Sequence, residues 1–471
     1  MTDTAATTTF IDHCVIGAGF QGLPVLKKLT EMGEKVICLD RNEDVGGIWH
    51  TGAYETAHII SSRSATGFAD FPMPESYPDF PSKREMQRYF RSYAEHFALL
   101  PHIRFNTAVT RVRPASAAEA ARGARWRTEC GDGSAVLSRT VVIANGHHSK
   151  PNVAGYPGTW QGETMHSDAY RTSEVFKGKR VLVVGNGNTA CDAAVEASLH
   201  GAGADISVRE GVYFFPRTFM GKPLDTFLRA IPFDAPWLER LFGWVVHKAA
   251  VGDPARYGLP RPTYRIFDRH PVINSELLRR IKLGRIGVRP EIARHDGNTV
   301  TFTDGTSRDY DLIFWAIGYQ MAFPMLAPED DLLDWKGGKP VMFLQLALPK
   351  ARGLFIAGLG QARTGGGPLF ELGGYLAARM AAHDARHPQG VMEAISGTAR
   401  MRFAKWAFGH DPVAPADTRS LSLQHHVASG RMLNGLLDQI GAPDARSGTG
   451  RSKARTNLEL LARTGRTAVT S

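Results

Sequence analysis

The stretch "DHCVIGAGFQG" (12–22) decides the fold. An apolar run ends at Ile16, glycines follow at Gly17, Gly19 and Gly22, and the residues beyond read as a helix. In that pattern Gly17 permits the tight turn, Gly19 lets backbone approach a pyrophosphate, and Gly22 lets the helix pack on the strand. The helix N-terminus then offers unpaired N–H groups and a positive dipole end to an anion. A second strand, "KVICLD" (35–40), ends at Asp40, whose carboxylate can accept hydrogen bonds from an adenosine ribose with a free 2′-hydroxyl.

The pattern returns in "KRVLVVGNGNTACDAAVEA" (179–197), with Gly185, Gly187 and Ala190 at the turn and Asn188 and Thr189 between them. Here the following strand, "ADISVRE" (204–210), ends in Arg209 and Glu210. A cation in that place pairs with a 2′-phosphate, which an acid would repel. The contrast points to FAD in the first site and NADPH in the second, with a solvated strand end as the alternative for Arg209.

Around these two units the chain predicts an α/β fold with two Rossmann-like dinucleotide-binding domains. The NADPH domain is inserted into a discontinuous FAD domain. The expected divisions are 1–155 for the first FAD segment and 156–325 for the NADPH domain, with a helical insertion near 215–262. A second FAD segment with C-terminal helices follows over 326–440, then a flexible basic tail over 441–471. "KPVMFLQLALPKARGLFIAGLG" (339–360) has strand character and "GGPLFELGGYLAARMAAH" reads as an amphipathic helix, so this segment is expected to complete the first domain. In the insertion, Asp234 can cap a helix with Pro236 in its first turn, running to about Ala250. Trp237, Leu241, Trp244 and Val245 would share one face; packing inside the domain or against a neighbour, a lid over a cavity, and membrane-surface contact all stay open.

The net charge of +10 over 471 residues first suggests nucleic acid, but Asp444 to Ser471 carries six Lys/Arg against two Asp/Glu and so supplies +4 of it. The remainder needs no polyanion beyond a phosphate-bearing cofactor. The four cysteines, Cys14, Cys38, Cys130 and Cys191, form no CxxC pair and imply reduced thiols in the cytoplasm, with no metal site. "MTDTAATTTF" lacks the pattern of a secretory signal, and no window holds an integral membrane span. A homo-oligomer is left open.

Two dinucleotide sites imply hydride transfer from nicotinamide to flavin. A disulfide reductase would need a redox-active cysteine pair facing the flavin, so molecular oxygen is the leading acceptor.

At this point the motifs resemble those of class B flavoprotein monooxygenases, the flavin-containing monooxygenase family, over most of residues 10–380. "GAGFQG" is followed by "GGIW" (46–49), similar to the GGxW element beside the isoalloxazine. "FADFPMPESYPDFPSKREMQRYFRSYAEHF" (68–97), "VVIANGHHSKPNVAGYPG" and "IFWAIGY" (313–319) resemble the family's DFP, ATG and ATGY segments. "YGLPRP" (257–262) is reminiscent of the branch containing plant auxin-forming monooxygenases. The most specific match is "WQGETMHSDAY". Trp160, Gly162, His166 and Tyr170 stand at the positions of the family's FxGxxxHxxx signature and its following aromatic, with Trp in place of Phe. Tyr170-Arg171 resembles amine- and sulfide-oxidising members; Baeyer–Villiger enzymes usually carry Trp-Pro there.

The resemblance implies a single-component monooxygenase that forms a C4a-(hydro)peroxyflavin and oxygenates nitrogen or sulfur in a small molecule. Baeyer–Villiger oxygenation of a ketone or aldehyde is the alternative, and an NADPH oxidase or redox sensor the alternative of another class. By resemblance the FAD site holds Gly17, Gly19, Phe20, Gly22, Asp40, Arg41, Gly47, Ile48, Trp49, Val109, Asn145, Gly146 and Gly358. The NADP site holds His166, Ser167, Tyr170, Gly185, Gly187, Asn188, Thr189, Ala190, Arg209, Ile317, Gly318 and Tyr319. Gln361 and Thr364 are candidates to line the active site, beside a helix starting near Gly366 to Pro368 whose dipole faces the flavin. His166 is expected to hold the two domains in register.

One departure stands out. Where the family carries an Asn near the flavin, "HIISSRSATGF" offers Ser61, Ser62 and Arg63. Ser62 and Arg63 join His166 as catalytic candidates; Arg63 would stabilise a peroxide anion or contact a cofactor phosphate.

Overall fold

The computed structural model describes residues 8–231, 235–398, 401, 411–417, 420–421 and 423–444. The expected tail therefore lies, from 445 onward, outside the described residues, as does Asp234.

The first glycine stretch folds as read. Strand Thr8–Ile16 leads into helix Gly22–Glu31 and back to strand Val36–Leu39, paired in parallel with Val15 opposite Cys38. Continuous apolar runs at Cys14–Ile16 and Val141–Ile143 suit strands covered on both faces. Among the described residues this sheet has seven strands, in the order 103–104, 36–39, 8–16, 135–143, 126–130, 109–114, with Leu354–Ile356 on the other side of residues 141–143. That late strand, more than two hundred residues away in sequence, makes the first domain discontinuous. Helix Gly367–Arg386 follows it and packs across helix Gly22–Glu31, where Gly374 abuts Pro24 and Val25 and a Cβ would come within 2.6 Å.

The second unit is a parallel sheet ordered 287–289, 203–207, 180–184, 312–315, 163–166. The signature stretch lies at its edge. Trp160 ends one short strand, and Glu163–His166 pairs with Leu312–Trp315, setting His166 opposite Trp315. A Cβ on Gly162 would stand 2.4 Å from the Trp160 ring and 3.0 Å from Asp311 O, so the ring packs directly on the glycine. The two units are joined by a short antiparallel ribbon, Lys150–Pro151 with Tyr319–Gln320.

In the insertion, helix Pro236–Ala250 starts at Ala235 with proline in its first turn. Its face differs from packing within the domain. Trp237, Leu241, Trp244 and Val245 are 67%, 52%, 52% and 46% exposed, whereas Glu239, Gly243, Val246 and His247 are buried. The reason is specific: Gly243 lies against the Phe267 ring, His247 Nδ1 is 2.9 Å from Phe214 O, and Glu239 pairs with Arg363. No helix among the described residues is long and apolar enough to cross a membrane.

Candidate active site

Both phosphate turns are shaped by what glycine lacks. Gly17 has φ +102°, and a Cβ on it would approach Ala144 O to 2.6 Å. A Cβ on Gly22 would stand 1.7 Å from Gly17 O, so helix and turn meet backbone to backbone. Gly19 and Gly47 face each other, each with the other's Cα 3.5 and 3.2 Å from its would-be Cβ. That cradle, beside a helix N-terminus, fits a pyrophosphate and would be narrowed by any side chain. Asp40 Oδ2 accepts from Ala18 N at 2.6 Å and Oδ1 from Asn42 N at 2.8 Å, so the carboxylate also braces the turn. Val109 lies two residues beyond Thr107, whose N–H donates to Asp40 O at 2.8 Å, placing it near Asp40. Arg41 is exposed beside them. Gly47, Ile48 and Trp49 form one helical turn, with Ile48 exposed and Trp49 packed on the core. Phe20 sits among Phe68, Phe90 and Phe370 at 5.2, 4.9 and 4.8 Å. Asn145 donates to Ala322 O at 3.0 Å, Gly146 takes φ +76°, and Gly358 (φ +90°) abuts Gln21.

The second turn opens onto a cleft of about 1160 Å³ between the two units. Gly185 has φ +133° and no room for a Cβ, which would come 2.3 Å from Ala316 O. A Cβ on Gly187 would meet nothing within 4 Å, so the space beside the start of helix Asn188–His200 is open. Asn188, Thr189, Ser167, Arg209, Ile317, Gly318 and Tyr319 line this cleft, while Ala190 is buried beneath the turn. Glu210 is not a free acid: Arg269 donates to it at 2.6 Å and holds its carboxyl below the usual range. That leaves Arg209, 3.6 Å from Glu291, and Arg217 as further cations on this wall, which suits a 2′-phosphate.

Three expected site residues are placed elsewhere. Tyr170 is 1% exposed in the core of the second unit, against Tyr54, Phe176 and Phe314, because its strand has already ended and turned under the sheet. Ser62 is buried at the start of a short helix, its N–H donating to Asp225 Oδ2 at 2.6 Å; its neighbour Ser61 lines the cleft instead. Arg63 turns away from the cleft, donating to Tyr77 O at 3.0 Å and lying 3.6 Å from Asp79.

His166 does not line the cleft either. Its Nδ1 is 3.1 Å from both the amide and the carboxylate of Asp168, and its ring stands edge-on to Tyr319 at 5.3 Å. Tyr319 in turn stacks on His148 at 5.0 Å, and His147 lies 3.4 Å from Gly358 O. Desolvation, then His147, pushes His148 down to about 4, so it is a neutral ring at pH 7. The "GHH" doublet was the available signal for these two histidines. Gln361 and Thr364 line the cleft beside the helix that begins at Gly367, with Gly365 and Gly367 pressed onto the backbone of residues 65–67. Asp225 and Arg217, from the insertion, had no such signal.

The chain thus folds as two glycine-turn βαβ units; the second turn opens onto the cleft, while the first lies outside its lining. The Flavin-binding monooxygenase-like family model matches residues 12–385, and the chain belongs to that family. It is 31% identical over 349 residues to flavin-containing monooxygenase 2 of Homo sapiens, covering 68% of this chain and 63% of that one. Against flavin-containing monooxygenase 5 of Oryctolagus cuniculus it is 30% identical over 337 residues, covering 66% and 62%. The chain thus spans under two thirds of these relatives. A flavin monooxygenase from Stenotrophomonas maltophilia, solved as a double mutant, shares the fold with TM-score 0.61 at 23% identity, covering 80% of this chain and 98% of that one. NADP+-bound cyclohexanone monooxygenase from Rhodococcus sp. Phi1 does so with TM-score 0.67 at 19% identity, covering 92% and 98%.

Proposed function

We propose that the protein is an FAD- and NADPH-dependent monooxygenase that transfers one oxygen atom to a nitrogen or sulfur of a small molecule. The observation carrying this reading is the single cleft shared by a Gly187–Thr189 phosphate turn and the flavin-side loops at Ser61 and Thr364. When bound, NADPH supplies a hydride and FAD activates dioxygen. The chain's own work is to hold both and exclude water. The helix N-termini at Gly22 and Asn188 bind the phosphates, and the Gly367 helix directs its positive end toward the flavin side. Arg63, turned to Tyr77, does not support the peroxide-anion role that would favour carbonyl chemistry. Four buried, unbridged cysteines support a reducing, cytoplasmic setting. The test is product analysis on a panel of amines, sulfides and ketones. N-oxides or sulfoxides support the reading, esters or lactones shift it to Baeyer–Villiger chemistry, and peroxide alone overturns it.

Two substitutions probe the nicotinamide side. Arg209→Ala removes a charge-assisted partner of the 2′-phosphate, so the ratio of kcat/KM for NADPH over NADH should fall about ten- to a hundredfold. An unchanged ratio assigns the selectivity to Arg217 or Arg269. His166→Ala removes the ring that backs Tyr319 and, through it, His148. It should keep FAD yet release more peroxide per NADPH consumed; a variant that stays tightly coupled contradicts the register role.

A further inference from the structure

The insertion lines one side of the cleft. Its helix Leu224–Arg229 grips the loop that replaces the family's Asn: Asp225 Oδ2 accepts from Ser62 N at 2.6 Å, and Arg229 Nη1 donates to Ser64 O at 2.9 Å. Asp225 is 9% exposed and lines the cleft among Ile60, Phe80, Leu224, Leu228 and Phe370. Its second oxygen, Oδ1, is buried with no hydrogen-bond partner. Burial raises the carboxyl above its usual range, against the bonds from Ser62 that lower it. The Ser62 N–H occupies Oδ2, and although the Ser62 hydroxyl also faces the carboxylate, no hydrogen bond reaches Oδ1; a buried acceptor without a donor is costly and rare in native structures.

We propose that Asp225 Oδ1 accepts a hydrogen bond from an N–H or O–H group of the substrate, and so selects molecules carrying such a donor near the atom oxygenated. This rests on the monooxygenase reading. A site built around an acceptor rejects the isostere without the donor, because the acceptor is then stranded. The nearby cation Arg229 donates from Nη1 to Ser64 O, and its Nε is itself buried without a hydrogen-bond partner, so Arg229 does not bond to Oδ1. The alternative donor is the carboxamide of the nicotinamide.

The experiment compares 2-(methylthio)ethanol with 1-(methylthio)propane, which differ by hydroxyl against methyl. Dissociation constants are measured by calorimetry on the FAD- and NADP+-loaded protein, and kcat/KM for both sulfides in parallel. The wild type should prefer the alcohol by about tenfold or more in binding. Asp225→Asn keeps an oxygen for Ser62 N–H but turns the second acceptor into a donor, and should lose that preference. Equal binding of the two sulfides by the wild type overturns the proposal on the unaltered protein. So does a variant with an unchanged ratio, or one whose only change is weaker NADP+ retention, which assigns Oδ1 to the carboxamide. Failure of the monooxygenase reading looks different: neither sulfide is oxygenated while the binding preference persists.

Discussion

Replacing Gly22 with alanine is expected to give a protein that purifies without flavin. The added methyl would lie 1.7 Å from Gly17 O, and the obstacle is backbone rather than a side chain that can swing away. The helix must withdraw from the turn, and its N–H groups lose their aim at the pyrophosphate. Overpacking of this kind costs about 3 kcal/mol, or roughly a hundredfold in FAD affinity. The check is the absorbance ratio of flavin to protein after purification, followed by FAD titration. Tight FAD binding by Gly22→Ala would remove this turn from the flavin site.

The second large effect separates the two cradles. Gly185→Ala places a methyl 2.3 Å from Ala316 O at a residue with φ +133°, where an L side chain is already strained. The variant should retain FAD, because the Gly17 turn is untouched. It should lose NADPH-driven flavin reduction about a hundredfold or more, while dithionite still reduces the flavin. Stopped-flow reduction at several NADPH concentrations provides the measurement. If FAD is lost as well, the two turns do not act independently.

Much of this was written locally in the chain. A strand, three glycines and a helix within "DHCVIGAGFQG" specify one βαβ start whatever surrounds it, and the same holds near Gly185. Return of residues 354–356 to the first sheet was inferable because an apolar strand after the second unit needs a partner. The site was less legible where distant segments meet. Asp225 and Ser62 are 163 positions apart, and nothing near either residue announces the other. Ser62 and Arg63 matched by position, yet a helix begins at Arg63, so only Ser61 faces the cleft. Tyr170 carried the right letter in the right signature, but its backbone had passed beneath the sheet edge. The helix Pro236–Ala250 shows the converse: its start followed from Pro236, whereas its buried face was set by Phe267 and Arg363, far along the chain.

Electrons delivered by NADPH should leave as an oxygenated product. The most direct measurement reduces the FAD-loaded protein anaerobically with one equivalent of NADPH, adds ¹⁸O₂ with an amine or sulfide, and counts both products. One N-oxide or sulfoxide per NADPH is expected, bearing one ¹⁸O atom. Recovery of the electrons as hydrogen peroxide, with every substrate returned unlabelled, would contradict it.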